Sequence, residues 1–147
     1  MKLLLSTVAA LVFGCATYPP SRSIDSAVAG ALMREFLLRE PPIFIADPSW
    51  CASAALPTTK TMPSSQLSAP DAPQRYQKNV FVLCDLTEND GGAHARLERI
   101  LYHGALKKFL IAESGQVDLE RHAGKWCVAA FHLTAIDYLP EPPKPPE

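Results

Sequence analysis

The chain has 147 residues, of which 48% are apolar and 20% charged, and its formal net charge is −1 at pH 7. This length and composition are typical of one globular domain with a single hydrophobic core. The longest basic run is the pair Lys107-Lys108. Nucleic-acid binding is therefore excluded, because it needs clustered cations that neutralise phosphates.

The first fourteen residues have the pattern of an export signal. Lys2 precedes an apolar run from Leu3 to Phe13, and the small Gly14 and then Cys15 follow. The apolar run has the length of a signal-peptide core and is too short to cross a bilayer as a helix. An uncleaved anchor and an ordinary secretory signal without a lipid are the alternative interpretations.

The segment Val12-Phe13-Gly14-Cys15 resembles the lipobox of bacterial lipoproteins. The resemblance implies cleavage ahead of Cys15. The thiol of Cys15 would then carry diacylglycerol, and the acyl chains of the lipid would include palmitate. Acyl chains hold a protein at a membrane because each buried methylene contributes about 0.8 kcal/mol. Ala16 follows the cysteine where an aspartate would signal retention at the inner membrane. We therefore expect a lipid anchor in the outer membrane, with the protein facing the periplasm.

This interpretation divides the chain into four parts. They are a signal peptide (1–14), a lipidated tether (15–23), a single α+β domain (24–139) and a proline-rich tail (140–147). The tail is expected to adopt the polyproline conformation and to contribute nothing to the core.

The domain opens with a predicted helix over residues 24–39. Ser23 is a suitable N-cap, because its hydroxyl can accept a hydrogen bond from a free backbone N–H. Apolar residues recur at helical spacing on one face. Pro41 and Pro42 should end the helix, because proline disfavours helical geometry in the residue before it.

Two predicted strands flank a long proline-rich loop. Residues 43–45 form a short apolar run, and residues 79–86 are apolar on both faces, which is typical of a central strand. In the second strand Val80, Val82, Cys84 and Leu86 are expected to share a face. Residues 47–77 between them are rich in Pro, Ser, Thr and Ala, and loops of this length are often functional or mobile.

The remaining elements are predicted to be strands joined by turns. Residues 88–92 contain the Asn and Gly residues that a tight reversal needs. Residues 95–111 fit either one helix or two strands meeting at His103-Gly104, and the glycine favours strands. Two further strands are predicted at 116–121 and 125–137, with a turn at Ala123-Gly124.

The predicted fold class is α+β. The N-terminal helix should pack on a curved antiparallel sheet of about four strands, with the long proline-rich loop outside it. This order of elements, together with Gly124-Lys125-Trp126-Cys127-Val128, resembles small cystatin-like and nuclear-transport-factor-like α+β rolls. That superfamily contains both enzymes and binding proteins, so the resemblance does not determine the function.

Three cysteines remain if Cys15 is lipidated: Cys51, Cys84 and Cys127. Export would place them in an oxidising compartment, where disulfides persist. Three thiols allow one internal bridge. We expect Cys51–Cys84, which would attach the long loop to a core strand, with Cys84–Cys127 between neighbouring strands as the alternative.

No specific catalytic, metal or cofactor motif is present. The four histidines do not occur at metal-ligand spacing. A His/Asp/Cys constellation could form in space, for example His132 or His122 with Cys127 or Asp137, but a thiol nucleophile would need a base within hydrogen-bond reach. We expect neither a cofactor nor a metal, and we lean against an enzyme.

Three roles remain open for the domain. The first is a non-catalytic accessory lipoprotein that binds a periplasmic protein. Trp50 is a candidate contact residue for such a partner, because aromatic residues dominate interface hot spots. The second is a small-ligand-binding or enzymatic pocket within the roll. The third is a purely structural part of the envelope.

Overall fold

The computed structural model describes residues 17–46 and 59–137. Within them one long helix packs on a six-stranded sheet, which establishes the α+β class. Cys15, Trp50, Cys51 and the proline-rich tail lie outside the described residues.

The elements follow one another in the order α1, β1, β2, α2, β3, β4, β5, β6, and their bounds close this paragraph. A 3₁₀ turn, Ser64–Ser68, precedes the one-turn helix α2. The elements are α1 (Ile24–Glu35), β1 (Ile43–Ile45), β2 (Lys60–Met62), α2 (Ala72–Arg75), β3 (Val80–Glu88), β4 (Gly92–His103), β5 (Lys108–His122) and β6 (Lys125–Ala135).

Helix α1 begins where the sequence predicts and ends earlier. Ser23 is the N-cap, and its hydroxyl accepts a hydrogen bond from the backbone N–H of Ser26. The helix ends at Glu35 because Leu37 adopts a left-handed conformation, with φ of 50°. The Leu38 N–H then bonds back to the carbonyl of Met33, which satisfies a free carbonyl of the last turn. This stop therefore comes before the two prolines are reached.

The sheet is open and mixed, with strand order β2-β1-β3-β4-β5-β6. Strands β3 to β6 form a consecutive antiparallel meander, whereas β1 pairs in parallel with both β2 and β3. The sequence predicts a sheet of about four antiparallel strands, whereas the sheet has six, because the short parallel strands β1 and β2 are added to it. Strand β2 lies within the segment predicted to be an irregular loop, and residues 59–77 of that segment also contain the 3₁₀ turn and α2.

Strands are confirmed where the sequence was ambiguous. Residues 95–111 belong to β4 and β5, which meet in a turn over residues 104–107. The turn at residues 89–91 is held by Asn89, whose side-chain oxygen accepts from the backbone N–H groups of Gly91 and Gly92.

Two apolar clusters cover the two sides of the sheet. Helix α1 packs on one side, which we call the helix face, through Val28, Leu32 and neighbouring side chains over Phe81, Leu97 and Val117. On the opposite side, the residues from Met62 to Tyr76 cover β1, β3 and the hairpin end of β4 and β5, where Phe109 packs against them. That opposite side is therefore left open over much of β4, β5 and β6.

A bulge in β3 changes the predicted pattern of faces. The register shifts between Cys84 and Thr87, and Asp85 takes a positive φ of 54°. Val80, Val82 and Cys84 share the cluster on the open side, as predicted. Leu86 instead packs against the helix-face cluster, because the extra residue of the bulge reverses the alternation.

The segment ahead of α1 is docked on the domain. Tyr18 is 9% exposed, its ring lies edge-on to Phe131 with centroids 5.6 Å apart, and its hydroxyl donates to the carboxylate of Glu35. Ser21 forms an antiparallel bridge with Trp126 through two backbone hydrogen bonds of 2.8 and 2.7 Å. Thus residues 18–21, which the sequence assigns to the tether, belong to the folded unit.

Candidate functional site

A row of polar side chains occupies the open side of the sheet, and we call it the polar face. It arises from simple alternation in β4, where Ala93, Ala95 and Leu97 are buried under the helix. The residues between them must point the other way, because successive side chains of a strand alternate between faces. The polar face consists of His94, Arg96, Glu98, Ser114, Gln116, Asp118 and His132.

Arg96 lies at the centre of one half of this face. Its Nη2 donates to the Sγ of Cys84 at 3.1 Å, and its Nε lies 3.5 Å from Asp85 and 3.6 Å from Glu98. The hydrogen bond to Cys84 is the main cause that raises the pKa of Arg96 above its usual value. Glu98, only 9% exposed, also accepts a bond of 3.5 Å from the Ser114 hydroxyl. These contacts hold the guanidinium in one position on the sheet.

The other half of the face is built around Asp118. One carboxylate oxygen accepts from the Gln116 amide at 2.6 Å, and the other lies 2.8 Å from Nε2 of His132. The His132 and Asp118 side chains remain 62% and 38% exposed. A histidine–carboxylate pair can orient a base for catalysis, but a nucleophile must lie beside it.

The thiol–histidine constellation that the sequence allowed is not assembled among the described residues. His132 pairs with Asp118, and His122 pairs with Glu120 at 2.9 Å. Cys127 is disulfide-bonded, so it offers no thiol to either histidine. The described residues also contain no group of three or more His, Cys, Asp or Glu side chains arranged to hold a metal ion.

The predicted disulfides do not form as expected. Both pairings require Cys84, whose thiol is free and fully buried. Cys84–Cys127 assumed neighbouring strands, but β4 and β5 lie between β3 and β6. Three strand spacings amount to about 14 Å, whereas bridged cysteines have Cα atoms less than about 7 Å apart. The actual neighbour of Cys84 is Arg96, directly across the β3–β4 ladder.

A shallow depression of about 510 Å³ crosses the polar face. Its rim includes Asp85, His94, Arg96, Gln116 and His132, and its floor includes Ala95 and Gly115. Small-molecule sites are enclosed and mostly apolar, with a few polar groups. This depression is open instead, and charged and polar side chains border it, which suits a surface that meets another protein through hydrogen bonds and bridging water.

The sequence of β4 contains a pattern that indicates this face. His94, Arg96 and Glu98 alternate with small or apolar residues, which is the pattern of a half-covered strand. The cross-strand partners could not be read in the same way, because Gln116, Asp118 and His132 join the face only through the register of β4, β5 and β6.

Among the described residues, no helix is both long enough and apolar enough to cross a bilayer. Comparison of the chain with protein-family models, with curated proteins and with solved structures finds no match.

Proposed function

We propose that the protein is a lipid-anchored component of the bacterial cell envelope that binds another protein through its polar face and has no catalytic role. The observation that carries the anchor is the leader, in which an apolar run ends at Gly14-Cys15. The observation that carries the binding role is the ordered polar face on an otherwise well-packed sheet.

Two structural features support cleavage ahead of Cys15 and export. The first buried residue that the structure describes is Tyr18, so the cut would spare every described core residue. Cys127 is disulfide-bonded, and disulfides persist outside the cytoplasm. With Cys15 acylated and Cys84 free, Cys51 is the cysteine left to pair with Cys127. In this proposal the lipid is inserted in the outer membrane and the folded domain faces the periplasm.

Replacing Cys15 with serine tests the anchor. The wild-type protein should fractionate with membranes, and the mass of its N-terminal peptide should begin at an acylated Cys15. Cys15→Ser should be found in the soluble fraction. As a control, Cys84→Ser should stay with the membranes, because Cys84 lies inside the domain. A C15S variant that remains membrane-bound would contradict the proposal.

The chemistry of the polar face favours a protein partner over a small molecule. Arg96 and Gln116 offer donors, while Asp85 and Asp118 offer acceptors, and all are held by neighbours before any partner arrives. Groups that are already ordered lose less entropy on binding. A surface of mixed charge also selects its partner by complementary placement of donors and acceptors.

Site-specific photocrosslinking in intact cells tests the binding role. A photoreactive residue at Gln116, in the centre of the polar face, should give a discrete crosslinked product. The same residue at Glu88, exposed at the far end of β3, serves as the matched control and should give little product. The proposal fails if Gln116 gives no product, or if the two positions give the same products in equal yield.

The resemblance to cystatin-like and nuclear-transport-factor-like rolls remains part of this proposal. It is supported by a helix that packs across an antiparallel meander, β3 to β6, and contacts β6. In this chain the space between helix and sheet is filled by the helix-face cluster. The proposed binding surface therefore lies on the outer side of the sheet, away from the helix.

A further inference from the structure

The path of the chain ahead of α1 indicates which end of the domain lies nearest the lipid. Ser21 pairs with Trp126 in an antiparallel bridge. Moving back from Ser21 to Tyr18 therefore follows β6 toward its carboxyl end, where Tyr18 meets Phe131. Tyr18 also bonds Glu35, the last residue of α1. The chain thus leaves the domain toward the end that holds the carboxyl termini of α1 and β6.

The distance from that point to the lipid is short. Cys15 precedes Tyr18 by three residues, which span at most about 11 Å when fully extended. The bilayer that receives the Cys15 lipid must therefore lie close to the domain. Such a short connection restricts the orientations that the domain can adopt, unlike a long flexible linker.

The same end carries the exposed apolar residues of the domain. Among the described residues, the large hydrophobic side chains classed as exposed are Leu37, Leu106 and Ile136, at 85%, 43% and 40%. Leu37 follows α1, and the N–H of Ile136 bonds Ala112 just past the end of β6. Leu106 is in the turn between β4 and β5. Leu106 and Ile136 lie at one end of the sheet because β4 and β6 both finish there. Leu37 lies at the same end, since it borders one hollow with Lys78 and Asn79 at the start of the antiparallel strand β3.

The β4–β5 and β3–β4 turns, at opposite ends of the sheet, also differ in the sign of their charge. The hairpin tip, residues 101–110, contains Lys107 and Lys108 and no acidic residue. The turn at the opposite end, residues 85–92, contains Asp85, Glu88 and Asp90 and no Lys or Arg. An anionic membrane surface attracts the β4–β5 tip and repels the β3–β4 turn, although the β5–β6 turn at the far end adds the cations Arg121 and Lys125.

We infer that the tip of the β4–β5 hairpin rests on the anionic phospholipid surface of the bilayer that holds Cys15, with Leu106 entering the headgroup region beside Lys107 and Lys108. This inference rests on the proposed lipidation of Cys15. Leucine beside lysines suits a bilayer interface, where the apolar side chain is buried while the ammonium groups stay among the phosphates.

The length of the β4–β5 hairpin determines how the domain is tilted on the membrane. Ala135, at the end of β6, lies opposite Glu113, and Lys108 begins β5 five residues earlier. The hairpin therefore extends about 17 Å past β6. For both the hairpin tip and Cys15 to reach one plane, the domain must tilt toward its β6 edge, because the tip already extends further than the end of β6. The acidic turn between β3 and β4 then points away from the membrane.

Quenching of a tryptophan placed at Leu106 tests the inference. The lipidated full chain is reconstituted in vesicles of phosphatidylethanolamine and phosphatidylglycerol whose acyl chains carry bromine. Leu106→Trp and the matched control Asp90→Trp are compared after subtraction of wild-type fluorescence. The fluorescence added by Leu106→Trp should fall roughly twofold or more in the brominated vesicles, whereas the fluorescence added by Asp90→Trp should hardly change. Equal quenching at both positions on vesicle-bound protein would overturn the inference.

Charge reversal provides a second measurement at an exposed site. In the Leu106→Trp background, Lys107→Glu together with Lys108→Glu should abolish most of the quenching, whereas Lys125→Glu at the far end should not. Vesicles without phosphatidylglycerol should weaken the quenching in the same way. Retention of full quenching after both changes would contradict a role for the anionic surface.

Sedimentation of the vesicles separates failure of this inference from failure of the anchor. If the protein sediments with vesicles and Leu106→Trp is not quenched, the orientation is wrong and the anchor stands. If the purified protein carries no acyl chains and stays in the supernatant, the proposed lipidation is wrong, and the orientation falls with it.

Discussion

Replacing Tyr18 with phenylalanine tests whether the chain ahead of α1 is held to the domain through the tyrosine hydroxyl. The ring is 9% exposed and packs edge-on against Phe131, while the hydroxyl donates to Glu35. Phenylalanine keeps the ring and its packing. The substitution therefore removes one hydrogen bond and little else.

The expected loss of stability near neutral pH is modest. A hydrogen bond to a charged group contributes about 1.5 to 3 kcal/mol, and the exposure of Glu35 to solvent places this one at the lower limit. We expect Tyr18→Phe to lower the free energy of unfolding by about 1 to 1.5 kcal/mol. For a domain of this size the melting temperature should fall by roughly 3 to 6 °C.

The pH dependence is the sharper part of this prediction. Burial, followed by the hydrogen bond to Glu35 and its negative charge, raises the pKa of Tyr18 from 10.0 to about 12. Between those values the unfolded chain loses the phenolic proton while the folded domain keeps it. The contribution of Tyr18 is thus complete below pH 10 and is lost as the pH rises through 12. Two pKa units correspond to about 2.7 kcal/mol, which partial solvent access reduces to about 1 to 2 kcal/mol.

Urea denaturation at several pH values between 8 and 11.5 measures this effect. The stability difference between wild type and Tyr18→Phe should shrink as the pH rises, because only wild type contains the shifted group. The remaining tyrosines and the lysines titrate in both proteins and cancel in the comparison. Parallel stability curves for the two proteins would refute the reasoning.

Three further substitutions or reactions probe the rest of the domain. Gly115→Ala should destabilise it by more than about 2 kcal/mol, because an added Cβ would lie 1.7 Å from the carbonyl oxygen of His132. Gly91→Ala, which meets no atom within 4 Å, is the matched control for that denaturation experiment. Ser23→Ala should cost about 1 kcal/mol through loss of the α1 N-cap, and an unchanged urea midpoint would argue against the cap. The buried thiol of Cys84 should alkylate roughly a hundredfold more slowly in the folded protein than in urea, as peptide mass mapping would show.

Local features of the fold could be predicted from short stretches of the sequence. The start of α1 was predictable from Ser23, and the turn at residues 89–91 from Asn89 and its glycines, because each depends on a few neighbouring residues. Apolar runs predicted strands at residues 43–45 and 79–86, and the structure has strands at 43–45 and 80–88. The early end of α1 was not, since the left-handed Leu37 carries no glycine or asparagine to announce it.

Only part of the candidate site could be predicted from the sequence. Alternation in β4 places His94, Arg96 and Glu98 on one side, and this follows from the geometry of any strand. The meeting of Arg96 with Cys84, and of Asp118 with His132, depends on which strands are neighbours and in what register. A shift of one residue would have sent every one of these side chains to the other face.

The sequence by itself determined the apolar run ahead of Cys15, the capped helix, the turns and the alternating strands. Each of these depends on chemistry within a few residues. Tertiary structure alone decided the parallel pairing of β1 with β2 and β3, the reversal of Leu86 at the bulge, and the separation of Cys84 from Cys127 by two strands. It also decided that Tyr18 docks beside β6 and so directs the chain toward the hairpin end. The physical reason is that pairing between distant segments is selected by the packing of the whole core, which no short stretch of sequence contains.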